Sequence, residues 1–208
     1  MTVIARRSGS LPLAAALLWL TVAWNVIEGC VAVSSGLLAG SIALVGFGLD
    51  SFIEVAAAAV LLWRIGLPED DARAEVRERF AHRVVGLTFL ALAAYIAIET
   101  AYVVAMGNEP ESSAVGLILA AASLTVMPAI GFAKRWNAER IGSAALVAES
   151  TETLVCSYLS LALLLGLGAN SLLGWWWADI AAALAMAPWI VREGMEGIRG
   201  ERCEDGCA

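Results

Sequence analysis

The chain has 208 residues, of which 60% are hydrophobic and 16% charged, and its mean hydropathy is +0.78. That composition excludes a water-soluble domain, and its bunched charges are the pattern of membrane spans joined by polar loops. Lys and Arg number 13 against 20 Asp and Glu, a formal net charge of -7, and with no basic stripe this argues against a nucleic-acid partner.

Arg6 and Arg7 precede the first apolar run. That run is too long for the core of a signal peptide and is followed by further spans, so it reads as an uncleaved first span. Six apolar segments reach spanning length, roughly 11–33, 41–63, 84–106, 114–132, 143–165 and 172–191. The expected fold is an all-α membrane protein with six transmembrane helices over residues 1–199 and a short tail at 200–208. The connections orient it. All 13 Lys and Arg fall before the first span, between the second and third, between the fourth and fifth, or after the sixth. The segments 34–40, 107–113 and 166–171 carry none. The positive-inside rule then puts both termini in the cytoplasm, and the expected location is the plasma (inner) membrane.

The first span holds Asn25 and Glu28, and the second holds Asp50 and Glu54. Residues i and i+4 share one helix face, so Asp50 and Glu54 project together from an otherwise apolar run. An acid at the bilayer centre costs roughly 2.5–3.5 kcal/mol on insertion scales and commonly faces a bundle interior or an aqueous path. Such a pair calls for a cation, a proton or a basic partner; the bland alternative is two neutral acids hydrogen-bonded inside the bundle. The segment 67–83 mixes signs at i,i+4, as in Glu69 with Arg73 and Glu75 with Arg79, and is expected to carry the third helix into the cytosol. His82, the one histidine, sits at that edge and is given no ligand role. Glu99 lies in the third span, and Pro128 is expected to kink the fourth.

The fifth span holds Glu149, Glu152 and Cys156, the last two again i,i+4. Asp50 and Cys156 each lie about nine residues, roughly 13 Å, from the outer ends of their helices. If these faces meet, Asp50, Glu54, Glu152 and Cys156 form a four-ligand cluster near mid-membrane, and carboxylates with a thiol suit a divalent transition metal. Glu149, one turn behind, could line a cytoplasmic entrance, and Glu28 is an accessory candidate. Asp179 starts the sixth span near the headgroups, where a structural role is the better reading. No Lys or Arg is expected inside any span to neutralise these acids. Trp63, Trp136, Trp189 and the run Trp175 to Trp177 read as interfacial anchors. The tail carries Cys203 and Cys207, which could collect a soft metal or belong to a disordered end.

With these residues laid out, the chain resembles the transmembrane part of the cation diffusion facilitator family. Ser41-Ile42-Ala43-Leu44 and Asp50-Ser51-Phe52-Ile53-Glu54 resemble its Ser-x-Ala-Leu and His/Asp-Ser-x-x-Asp pattern. Ser143 to Glu149, with Glu152 and Cys156, resembles its Ser-x-x-Leu-x-Ala-Asp-x-x-His-x-x-x-Asp, and Trp177-Ala178-Asp179 followed by Ala183-Leu184 its Trp-x-Asp-Pro-x-x-Ala-Leu. The resemblance implies a dimeric, six-helix metal/proton antiporter whose site takes Asp50 and Glu54 from one helix and Glu152 and Cys156 from another. No histidine stands at either ligand position, and Glu54 and Cys156 replace aspartates, so the cargo is left open among zinc, iron, manganese, cobalt and cadmium. The family's usual cytoplasmic C-terminal domain is expected to be missing, so dimerisation is expected through the membrane helices. No cofactor and no enzymatic activity are expected. A metal-binding scaffold or partner subunit without transport is the alternative, and thiol redox chemistry at Cys203 and Cys207 a weaker third.

Overall fold

The computed structural model describes residues 2–65, 72–107 and 109–199. The expected tail with Cys203 and Cys207, and the charge pair at Glu69 and Arg73, fall outside the described residues or touch their edge. The described chain is all helix: α1 (Thr2–Ala39), α2 (Ile42–Ile65), α3 (Ala72–Met106), α4 (Ala114–Ile141), α5 (Ala144–Leu173) and α6 (Trp177–Arg199).

Glycine and serine punctuate these helices. Gly40, Gly107, Gly142 and Gly174 all have φ between 64° and 69°. That left-handed conformation ends a helix and is open to glycine at no steric cost. Ser41, Ser113 and Ser143 then start the next element, each hydroxyl accepting a backbone N–H, from Leu44, Gly116 and Leu146 respectively. Gly40-Ser41 and Gly142-Ser143 are thus a stop and a start in two residues.

Several boundaries differ from the hydropathy reading. Segments 34–39 and 166–173 are helical, so the last connection is the short turn at Gly174 to Trp176 rather than 166–171. The apolar run 172–191 is therefore cut in two: Leu172 and Leu173 close α5. As expected, α3 extends well before residue 83. Both α4 and α6 remain single helices through Pro128 and Pro188.

Five helices are long and apolar enough to cross a membrane. α6 is shorter in its apolar part, since Arg192, Glu193, Glu196 and Arg199 occupy its end. Helices α1 and α2 pack together, as do α4 and α5, and α1 joins the two pairs into a group of four. Helices α3 and α6 form a separate pair that leans on α2 and α5. Close approach within these pairs requires glycine. A Cβ at Gly48 would stand 2.8 Å from the backbone nitrogen of Val33, and one at Gly86 2.8 Å from the carbonyl oxygen of Gly194. Small residues that let backbones touch are what hold helices together where lipid removes the hydrophobic drive. The main core, with Phe47, Ile96, Met127, Leu159, Leu163, Met186 and Ile190, surrounds a band of buried polar side chains.

Candidate functional site

That band lies where α2 and α5 face each other. Asp50 and Glu54, one turn apart on α2, and Glu152 and Cys156, one turn apart on α5, all line one cavity. Phe89 of α3 and Trp189 and Glu193 of α6 complete its walls. The cavity measures about 20 Å³, whereas a single water needs about 10–15 Å³. It has room for about one water-sized occupant.

The four sequence-predicted residues are therefore brought together, but they do not form a closed ligand shell. Among the described residues no three His, Cys, Asp or Glu side chains are arranged to hold a metal ion together. Glu54 Oε1 accepts a 2.7 Å hydrogen bond from the Thr153 hydroxyl. Its Oε2 is buried with no hydrogen-bond partner, and Asn25 and Cys156 flank the carboxyl group. Asp50 and Cys156 are buried, and Glu152 is half-buried.

Two expectations are corrected on α4. Lys134 was assigned to a loop, and the spans were read as free of basic residues. Instead α4 continues to Ile141 and Lys134 is fully buried, at 0% exposure. Its Nζ donates at 2.7 Å to Glu149 Oε1 and at 2.7 Å to the Thr153 hydroxyl oxygen. The Glu149 carboxylate is an ion-pair partner and is not among the groups that line the cavity. Isolating either charge from water without the other would be strongly unfavourable, which is why they meet.

Glu28 is also buried and stands outside the cavity lining, on the α1 side of α2. Ser51 Oγ lies 3.2 Å from its Oε2, and Trp24 and Ser123 are beside it. Asn25 donates from Nδ2 to the Thr21 carbonyl at 3.1 Å. Asp179 has the structural role expected of it: Oδ2 accepts the Ile42 N–H at 2.9 Å, and Oδ1 accepts the Ser41 hydroxyl. Glu99 is half-buried on α3, away from the cavity. Of the tryptophans, Trp175 and Trp177 are exposed and stack with ring centroids 5.3 Å apart. Trp189, read as an anchor, is instead half-buried in the cavity wall, with Arg192 4.9 Å from its ring centroid.

Sequence reasoning missed Lys134, Thr153 and Glu193. Glu193 lies two residues past the sixth apolar run. Burial pushes its carboxyl group up to about 7, with Glu196 adding to the shift and Arg192 opposing it. A helical-period reading of α4 would have found Lys134, since Ala120, Ser123, Met127, Gly131, Lys134 and Asn137 form one buried stripe.

A helical membrane bundle with acids from facing helices around an ion-sized cavity defines a membrane ion-transport protein. The family model described as the cation efflux transmembrane domain matches residues 18–199, and the chain belongs to that family. A comparison with curated proteins gives no match. Membership makes the chain a multi-pass membrane protein of a family that transports metal cations.

Proposed function

We propose that the chain exports a divalent transition-metal cation from the cytoplasm in exchange for protons, by alternating access at the cavity between α2 and α5. The observation that carries this reading is that Asp50, Glu54, Glu152 and Cys156, from two different helices, border one ion-sized space inside an apolar bundle. Carboxylates and a thiol bind a metal in their deprotonated forms, so a metal entering the cavity displaces protons and protons entering displace the metal. Glu54 Oε2, buried without a hydrogen-bond partner, is the oxygen that this reading assigns to the cargo. Cavity closure around the cargo draws the remaining donors inward. No bound cofactor or chemical step enters the cycle.

The cargo class spans zinc, iron, manganese, cobalt and cadmium, because carboxylates favour harder ions and a thiolate softer ones. In this reading Glu193, which borders the cavity from the C-terminal part of α6, is the cavity acid nearest the cytoplasm. A second copy of the chain, docked through the membrane helices of a plasma-membrane bilayer, is the partner this reading takes. The test is metal flux into vesicles holding the purified chain under an imposed pH gradient. Asp50→Ala and Glu54→Ala are expected to abolish pH-driven flux. Undiminished flux in both variants overturns the assignment.

A further inference from the structure

Resting on that transport reading, we infer that Lys134 is a positioning residue for the transported ion, holding Glu54 in place through the Thr153 hydroxyl. Lys134 borders no part of the cavity, yet one side chain separates it from a cavity carboxylate. The chain of contacts runs from Lys134 Nζ to Thr153 Oγ1 at 2.7 Å, and from Thr153 Oγ1 to Glu54 Oε1 at 2.7 Å.

The direction of these bonds follows from what each group can do. An ammonium only donates, so Lys134 occupies a lone pair of the Thr153 oxygen. The hydroxyl then has one hydrogen and two acceptors in reach: Glu54 Oε1 at 2.7 Å and the Glu149 backbone carbonyl at 3.1 Å. The carboxylate is nearer, and a bond to a charged acceptor is the stronger. Lys134 polarises the hydroxyl further toward it. Glu54 is thereby held at Oε1, while Oε2 is buried without a hydrogen-bond partner. Lys134 also holds Glu149 by its Oε1, so that acid is kept out of the ligand set. The number of carboxylates offered to the cargo is set from α4, by a residue that never touches it.

Groups that orient a metal ligand from behind commonly change metal affinity 10–100-fold when removed. The experiment is flux in vesicles containing the full chain, measured against zinc, cadmium and manganese chloride and normalised to inserted protein. Asp50→Ala serves as the inactive reference. Thr153→Val, which keeps the shape and removes the hydroxyl, is expected to raise KM about 10-fold or more. Thr153→Ser is expected to restore the wild-type KM. The double variant Lys134→Met with Glu149→Gln removes both charges together, so it leaves no lone buried ion; it is still expected to raise KM, because Glu54 has lost its polarised clamp. A thermal-unfolding midpoint for each variant separates this from a folding defect.

Wild-type KM in Thr153→Val, beside an inactive Asp50→Ala, overturns this inference alone. Wild-type KM in the double variant confines Lys134 to neutralising Glu149 and overturns its role at Glu54. No flux from the wild-type chain removes the transport reading and this inference with it.

Discussion

Asp179, in the first turn of α6, accepts the backbone N–H of Ile42, in the first turn of α2, at 2.9 Å across 137 positions of sequence. The same carboxylate accepts the Ser41 hydroxyl, and Ser41 in turn accepts the Leu44 N–H. One acid therefore caps a helix that is not its own and ties α6 to the helix bearing Asp50 and Glu54. A negative charge at a helix N-terminus also meets the positive end of the helix dipole.

Asp179→Ala leaves the Ile42 N–H and the Ser41 hydroxyl without their acceptor in a buried setting. A lost partner of this kind costs about 1–3 kcal/mol. The expected outcome is a lower unfolding midpoint in detergent, with flux per folded molecule little changed. A midpoint equal to that of the wild type would show that the cap contributes nothing to stability.

Cys156 is the one soft donor at the cavity, and its place fits a ligand that tilts preference toward soft ions. Cys156→Ser keeps the size and replaces sulfur by a harder oxygen. Cadmium flux should fall by more than manganese flux, measured in competition in the same vesicles. Equal losses for both ions would remove sulfur from the ligand set.

The raised value of about 7 at Glu193 has a consequence for stability. In the unfolded chain this carboxyl group loses its proton near 4.5, whereas in the folded protein it keeps it up to about 7. The folded state thus binds more protons across that window, and stability falls as pH rises through it. Glu193→Gln cannot ionise and should flatten that part of the profile. Unfolding midpoints at pH 5 and pH 8, for wild type and variant, measure the difference; identical slopes would refute it.

Gly86 and Gly194 bring α3 and α6 into backbone contact. A methyl group at position 86 would stand 2.8 Å from the Gly194 oxygen and 2.8 Å from the Ile198 nitrogen, both backbone atoms that cannot rotate away. Gly86→Ala should therefore destabilise the protein by about 1–3 kcal/mol, the usual range for overpacking. A variant as stable as the wild type would mean that the pair separates at little cost.

Much of this architecture was legible from hydropathy and spacing. The acids at Asp50 and Glu54 stood out because nothing around them is charged, and the i,i+4 rule put them on one face. The same rule paired Glu152 with Cys156, and both pairs line the cavity. Asp179 was read as structural from its place near a helix start. Lys134 escaped because the apolar window closes at residue 132, while its helix runs nine residues further. The helical period of α4 places Lys134 on its buried stripe, but the partner that makes its burial tolerable, Glu149, lies on another helix. The segment 166–171 reads as a connection because it falls between two apolar runs, yet it is helical. In the fold Gly166 instead packs against Ala178 and Ala182, and Asn170 donates to the Pro110 carbonyl at 2.9 Å. Glycine at a helix contact and glycine at a turn look alike in one sequence.

The cavity takes two of its walls from the group of four helices and two from the α3–α6 pair. Its bore is accordingly not a property of either assembly. In the transport reading, a small tilt of one against the other would change the chamber while leaving every carboxylate on its own rod. Any such tilt would work against the bonds from Asp179 to Ser41 and Ile42, which tie α6 to α2.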